Sequence, residues 1–345
     1  MGKNKSQYLA RSNKNLVTHI LEDHAHNKAQ STSYIFLEKG LEKQIYSYKQ
    51  LYEESLKVAA KLQQLNMSGE RVLLLYPSGI DFITAFLGCL YAGAIAVPAY
   101  PPHNNRIINR LETIIDDCTP KLILTNKKSE LTLAEIKENI PNNHNLENIE
   151  FILHEELNDV SHHHYKNQHI KDTDIAFLQY TSGSTSLPKG VMISNFNIIH
   201  NLIILKKSLH FDQNSIFVSW LPIYHDMGLI VGLLESLYLG TKTIFMAPAD
   251  FIRSPLLWLK TISKYKGTFS GAPNFAFDLC TTKRISDADH KKINLSSLKV
   301  LVNGSEPLNP VSIEQFYDKF QTYGLSNKTI TPSYGMAEST LCIST

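Results

Sequence analysis

The sequence lacks most of the features that would settle its class at a glance. Its four cysteines, Cys89, Cys118, Cys280 and Cys342, lie far apart and form no CxxC pair, so no disulfide framework or cysteine-rich zinc site is written here. Free thiols in apolar surroundings suit a reducing compartment, and a cytoplasmic location is expected. An excess of one charge sign is missing too. The 34 Lys and Arg against 32 Asp and Glu leave a formal net charge of +2, which does not point to nucleic acid. No run approaches the roughly 20 uncharged apolar residues of a membrane span; the longest candidate, 80–97, is broken by Asp81 and two glycines. No apolar segment follows the first lysines, so no secretory signal is read. Residues 1–15 mix Lys with Ser, Asn and Gln and read as a flexible, solvated leader.

What is present is the makeup of a soluble globular chain with a sizeable core, 43% hydrophobic and 19% charged. Short apolar runs at 71–76, 95–97, 121–125, 175–180, 215–220, 243–246 and 298–302 predict strands. Helical spacing fills the intervals, from Ile80 to a stop at Gly93, over 106–118 before Pro120, and over 195–209 and 255–266. Uninterrupted apolar strands alternating with helices predict a doubly wound α/β fold whose mostly parallel sheets are covered on both faces. Residues 129–173, rich in Asn, His and Glu, hold one apolar run at 149–153 and are expected to form a surface excursion around a single strand. The triplet His162, His163 and His164 cannot close a tetrahedral metal shell from consecutive side chains alone.

Four motifs carry chemistry. The first, YTSGSTSLPKGV at 180–191, follows a predicted strand and precedes a helix beginning near Ser194. Gly183 and Gly190 permit turns denied to other residues. Thr181, Ser182, Ser184 and Thr185 offer donors to phosphate oxygens, and Lys189 can neutralise charge developing on pyrophosphate. Lys189 precedes Gly190 and Val191 rather than opening a helix as Gly-Lys-Ser/Thr, so this is no Walker-type loop. The second motif is WLPIYHDMGLI at 220–230. Taken alone, His225 beside Asp226 is more often structural than catalytic. The third, NGSEPL at 303–308, leaves a predicted strand at its carboxyl end, where open α/β sheets place ligands; the plainer alternative is a polar turn capping a helix through Ser305 or Asn309. The fourth is PSYGMAEST at 332–340.

With these motifs in this order, the chain resembles the adenylate-forming enzymes, and most closely the fatty acyl-AMP ligases. Ser186 stands where glycine is usual in the wider superfamily, a departure common in those ligases, and the Tyr224–Gly228 stretch and the NGSEP sequence point the same way. The resemblance begins near Leu16 and takes in 46–51 and 97–102. It implies an AMP-binding N-terminal domain over 16–345, incomplete at its C-terminal end, since the family continues through a ribose-binding segment, a hinge and a small lysine-bearing domain. It further implies ATP and Mg²⁺ as cofactors, a medium- or long-chain fatty acid as substrate, pyrophosphate release, and an acyl carrier protein as later acceptor. By this resemblance Lys189, Thr185 and His225 serve catalysis. Thr181, Ser182, Gly183, Ser184, Thr185 and Lys189 hold the phosphates, and Asn303, Gly304, Ser305, Tyr334, Gly335 and Met336 the rest of the nucleotide. His225, Asp226, Met227 and Gly228 face the acyl group, and Glu338 ligates the metal. An acyl-CoA synthetase, or a fragment that binds nucleotide or acyl-adenylate without turnover, are the alternative expectations.

Overall fold

The computed structural model describes residues 16–101, 105–127, 129, 149–181 and 188–345; the leader expected over 1–15 lies outside them. Among the described residues the strands are β1 (Thr32–Glu38), β2 (Leu41–Ser47), β3 (Arg71–Leu75), β4 (Ile95–Ala99), β5 (Leu122–Thr125), β6 (Glu150–Leu153), β7 (Ile175–Thr181) and β8 (Lys189–Ser194). They continue with β9 (Ile216–Ser219), β10 (Lys242–Met246), β11 (Phe269–Ala272), β12 (Val300–Asn303), β13 (Ile330–Pro332), β14 (Tyr334–Gly335) and β15 (Cys342–Ser344). One sheet runs β13-β12-β11-β9-β10-β1-β2, a second β6-β5-β3-β4-β7-β8, and β14 pairs with β15 alone. Each larger sheet is parallel except for one antiparallel strand at an edge, β2 on β1 and β8 on β7.

Successive strand side chains point to opposite faces, and the burial follows this rule. In β1, Tyr34 and Phe36 enter one core while Ile35 and Leu37 enter another; in β3, Val72 and Leu74 join the first core while Leu73 and Leu75 turn to a third. Both faces of each sheet are therefore buried, which is why these strands read as continuous apolar runs. The shared core lies between the sheets and is filled by helices Tyr48–Gln64 and Ile80–Ala92. Helix Ile80–Ala92 is buried on nearly every side, the condition under which a helix is apolar all round. Helices Leu256–Tyr265, Asn274–Thr282 and Pro310–Phe320 cover the outer face of the first sheet, and helix Asn105–Cys118 that of the second. No helix among the described residues is long and apolar enough to cross a membrane.

The sequence pattern does not signal β1, β2, β8, β11, β13 or the short β14–β15 pair. β2 is a largely exposed edge strand of sequence LEKQIYS, and β11 is FSGA, too short and small to stand out. β8 shares its residues with the first motif and separates the loop from the helix Asn195–Ser208, which Ser194 caps as expected near that point. Within 129–173, the run at 149–153 is an edge strand paired in parallel to β5. His162–His164 form an exposed turn of 3₁₀-helix, and no three His, Cys, Asp or Glu among the described residues are grouped to hold a metal.

A π-helical stretch, Gly228–Glu235, follows the second motif. Its wider turn frees carbonyls that neighbours take up: Tyr34 donates to the Leu233 carbonyl and Thr243 Oγ1 to that of Gly232. Glu235 ends this stretch wholly buried with both carboxyl oxygens unpartnered, and burial drives its pKa well above the usual carboxylate range.

Candidate functional site

The motifs leave their strands at carboxyl ends: Thr181 closes β7, the His225 loop follows β9, Gly304 follows β12, and Ser333 follows β13. That is where parallel sheets open a crevice, and here both larger sheets contribute to one. A cavity of about 1410 Å³ is lined by Thr181, His225, Asp226, Met227, Gly304, Ser305, Tyr334, Gly335, Met336 and Glu338, together with Tyr100, Arg110 and Gln179. Its apolar lining includes Leu205 of helix Asn195–Ser208, Leu209 just past that helix, Val231 of the π-helical stretch, and Leu341.

Close backbone crossings fix the loops. A Cβ added at Gly304 would lie 2.9 Å from the Ser333 carbonyl oxygen, and one at Gly228 would lie 2.1 Å from that of Pro222; only glycine lets these segments touch. The loop after Gly304 is pinned on each side. Glu306 accepts from the Phe275 amide at 2.6 Å, at the N-terminus of helix Asn274–Thr282, where a carboxylate is favoured. Asn309 caps helix Pro310–Phe320 by accepting from Val311 at 3.0 Å. Between these anchors Ser305 is held at φ 72°, a left-handed conformation uncommon for serine, with its hydroxyl 3.3 Å from Met227 Sδ.

His225 Nδ1 lies 2.6 Å from Asp226 Oδ1, with 53% of the imidazole side chain exposed into the cavity. Burial alone would lower its pKa, and nearby Arg110 acts in the same direction. The hydrogen bond and charge of Asp226 outweigh both, so the imidazole is more basic than usual. Behind it, Gln179 donates to the Tyr224 carbonyl at 3.3 Å, and the Tyr224 ring packs 4.0 Å from that of Tyr100. The root of the first motif is held from helix Asn105–Cys118. Arg110 Nη2 donates to the Tyr180 carbonyl at 3.3 Å, and the Tyr180 hydroxyl donates to Asp117.

Tyr334 is 61% exposed, a free aromatic face at the cavity. Glu338, also exposed, lies on the turn Ala337–Ser339. Not every expected residue reaches the space. Asn303 is fully buried behind Gly304, its amide donating to Asn274 at 3.2 Å, and Gly228 packs on Pro222. Lys189 begins β8 with an exposed side chain and is not part of the lining. Ser182, Gly183, Ser184 and Thr185 lie outside the described residues. Tyr100, Arg110 and Gln179 are lining residues that the motifs did not single out. For Arg110 the signal was faint: Leu111, Ile114, Ile115 and Cys118 pack on the sheet, so Asn109, Arg110 and Thr113 fall on the opposite face of the helix and line the cavity.

The family model for AMP-binding enzymes matches residues 21–345. A medium-chain-fatty-acid–[acyl-carrier-protein] ligase of Moorena producens, JamA, is 37% identical over 331 residues, covering 94% of this chain and 55% of the relative. The long-chain-fatty-acid–AMP ligase FadD32 of Mycobacterium marinum is 36% identical over 343 residues, covering 96% and 53%. The chain thus spans about half the length of the curated relatives it matches. Among solved structures, the fatty acyl-adenylate ligase from L. pneumophila in complex with acyl adenylate and pyrophosphate superposes with a TM-score of 0.86 at 39% identity, covering 98% of this chain and 58% of that one.

Proposed function

The chain belongs to the AMP-binding enzyme family, and from that premise we propose that it activates a medium- or long-chain fatty acid with ATP, forming the acyl-adenylate and releasing pyrophosphate, for later transfer to an acyl carrier protein in the cytoplasm. The observation that carries this reading is one cavity in which polar strand-end loops meet an apolar lining from Leu205, Leu209, Val231 and Leu341. A ligand suited to that space has a charged nucleotide end and an alkyl end.

In the reaction a carboxylate oxygen attacks the α-phosphorus, the bond to the bridging oxygen breaks, and pyrophosphate leaves. No proton need be moved, so the residues act by position and charge. His225, made more basic by Asp226, holds the carboxylate for in-line attack. Tyr334 offers the face on which adenine stacks, while Gly304 and Ser305 bring backbone to its edge. Thr181 and the loop beyond it receive the phosphates, with Lys189 drawn in as charge develops.

The donor set suits Mg²⁺, which is typically held by one or two carboxylates together with phosphate oxygens. Glu338 is the cavity-lining carboxylate left without an ion pair among the described residues. When bound, the ion supplies charge neutralisation between the approaching carboxylate and the phosphates.

The test is thermal unfolding of the 345-residue chain with dodecanoyl-sulfamoyl adenosine, against sulfamoyl adenosine without the tail. At a concentration about 100 times its dissociation constant, the tailed compound adds roughly 2.7 kcal/mol. With an unfolding entropy of about 2.1 cal/mol/K per residue, the melting temperature of the 345-residue chain should rise by about 4 °C. Equal shifts with and without the tail would remove the fatty substrate from the reading.

A further inference from the structure

Arg110 sits on the cavity face of helix Asn105–Cys118, beside the root of the first motif. Its Nη2 donates to the Tyr180 carbonyl, one residue before Thr181. No carboxylate pairs with it among the described residues. Arg110 lies close enough to His225 for its charge to oppose the protonation that Asp226 favours, so both side chains face the same space. A guanidinium has five donors in a fork that matches phosphate oxygens, and the bond to Tyr180 uses only one of its arms.

We propose that Arg110 is a catalytic residue for phosphoryl chemistry in this cavity, gripping the β-phosphate of ATP and the pyrophosphate that departs from it. The proposal rests on the adenylation reading and adds a residue to it. As the carboxylate oxygen forms its bond to the α-phosphorus, the electron pair of the breaking bond moves onto the β-phosphate oxygen, and the free guanidinium arm meets that growing charge. The arm held by the Tyr180 carbonyl keeps the fork in place, so its orientation is set before substrate arrives.

The experiment is calorimetric titration of magnesium pyrophosphate onto the complex of the 345-residue chain with dodecanoyl-sulfamoyl adenosine, for wild type, Arg110→Gln and Arg110→Lys. Glutamine keeps a donor for the Tyr180 carbonyl and loses the charge; lysine keeps the charge and loses the fork. Arg110→Gln should weaken pyrophosphate binding by about tenfold to a hundredfold, as expected for losing a charge-assisted hydrogen bond. Arg110→Lys should fall between it and wild type, and both variants should bind the adenylate mimic within about twofold of wild type. Pyrophosphate affinity untouched in Arg110→Gln would overturn the proposal, as would equal losses for mimic and pyrophosphate, which would reduce Arg110 to a clamp on Tyr180. A wild type that binds the mimic but not pyrophosphate would also overturn it. If wild type does not bind the mimic at all, the adenylation reading fails first and this proposal falls with it.

Discussion

Two polar clusters sit at carboxyl ends of parallel strands, and they differ in where their hydrogen bonds go. At the ends of β3, β5 and β6, Tyr76, Asn126 and His154 meet Asp81 and Thr84. Asn126 donates to Asp81 at 2.7 Å, and the His154 ring lies 3.3 Å from the Tyr76 hydroxyl and 3.4 Å from that of Thr84. This cluster largely answers its own demands. At the ends of β7, β9, β12 and β13, Arg110 has one arm occupied, Glu338 has no ion pair among the described residues, and Tyr334 is exposed, all around a large cavity. Polar strand ends alone do not mark a site; polar groups left open toward a shared space do. Substitutions in the first cluster should therefore cost stability and spare ligand binding, and those in the second should do the reverse.

The largest effect is expected at His225. Replacing it with alanine should slow fatty-acid-dependent exchange of labelled pyrophosphate into ATP by about 10²-fold, the scale of losing one preorganised electrostatic contact. The melting temperature should hardly move, because the side chain is half exposed and its partner is the adjacent Asp226. A large drop in melting temperature would make His225 structural. Next comes Asn126→Leu in the other cluster, which strips Asp81 of its donor and should cost about 1–3 kcal/mol in denaturant unfolding while leaving the dissociation constant for dodecanoyl-sulfamoyl adenosine unchanged. A weakened ligand would show that the two clusters are coupled. Smaller still, Tyr334→Ala should weaken that ligand by about 1 kcal/mol through lost ring contact, with no loss of stability from a residue that is 61% exposed.

The same contrast explains what could be read from the residues. Strands such as Arg71–Leu75 and Lys242–Met246 are legible because burial on two faces demands unbroken apolar runs. β2 and β8 are edge strands with one antiparallel neighbour, so polar residues are tolerated and the signal fades. The site loops are legible where chemistry compresses into adjacent residues, as at His225 and Tyr334. Arg110 escapes because the groups it acts on are far off in sequence, Tyr180 70 positions away and His225 farther still. Asn303 shows the opposite failure: its motif marks the right loop, but the backbone turns at Gly304 and leaves the asparagine side chain in the core.

The finest test of the comparison is titration of one histidine from each cluster, followed by NMR. Burial lowers the pKa of His154, against the opposing charges of Asp81, Glu155 and Glu54, with Lys57 adding to the fall. That of His225 is raised despite burial and Arg110, because Asp226 prevails. The signs then separate. For His154 the unfolded chain takes up its proton first, so its contribution is present above the ordinary histidine pKa and is lost as pH falls toward the depressed folded value. For His225 the folded chain binds the proton more tightly, so its contribution is present below the ordinary pKa and is lost as pH rises through the elevated folded value. Lowering pH across this window should thus weaken the closed cluster while keeping His225 charged and the carboxylate held. His154→Gln should flatten the acid limb of the stability profile, and His225→Gln the alkaline limb of fatty-acid KM. If the two imidazoles titrate together near the ordinary value, the difference in environment drawn between the clusters is wrong.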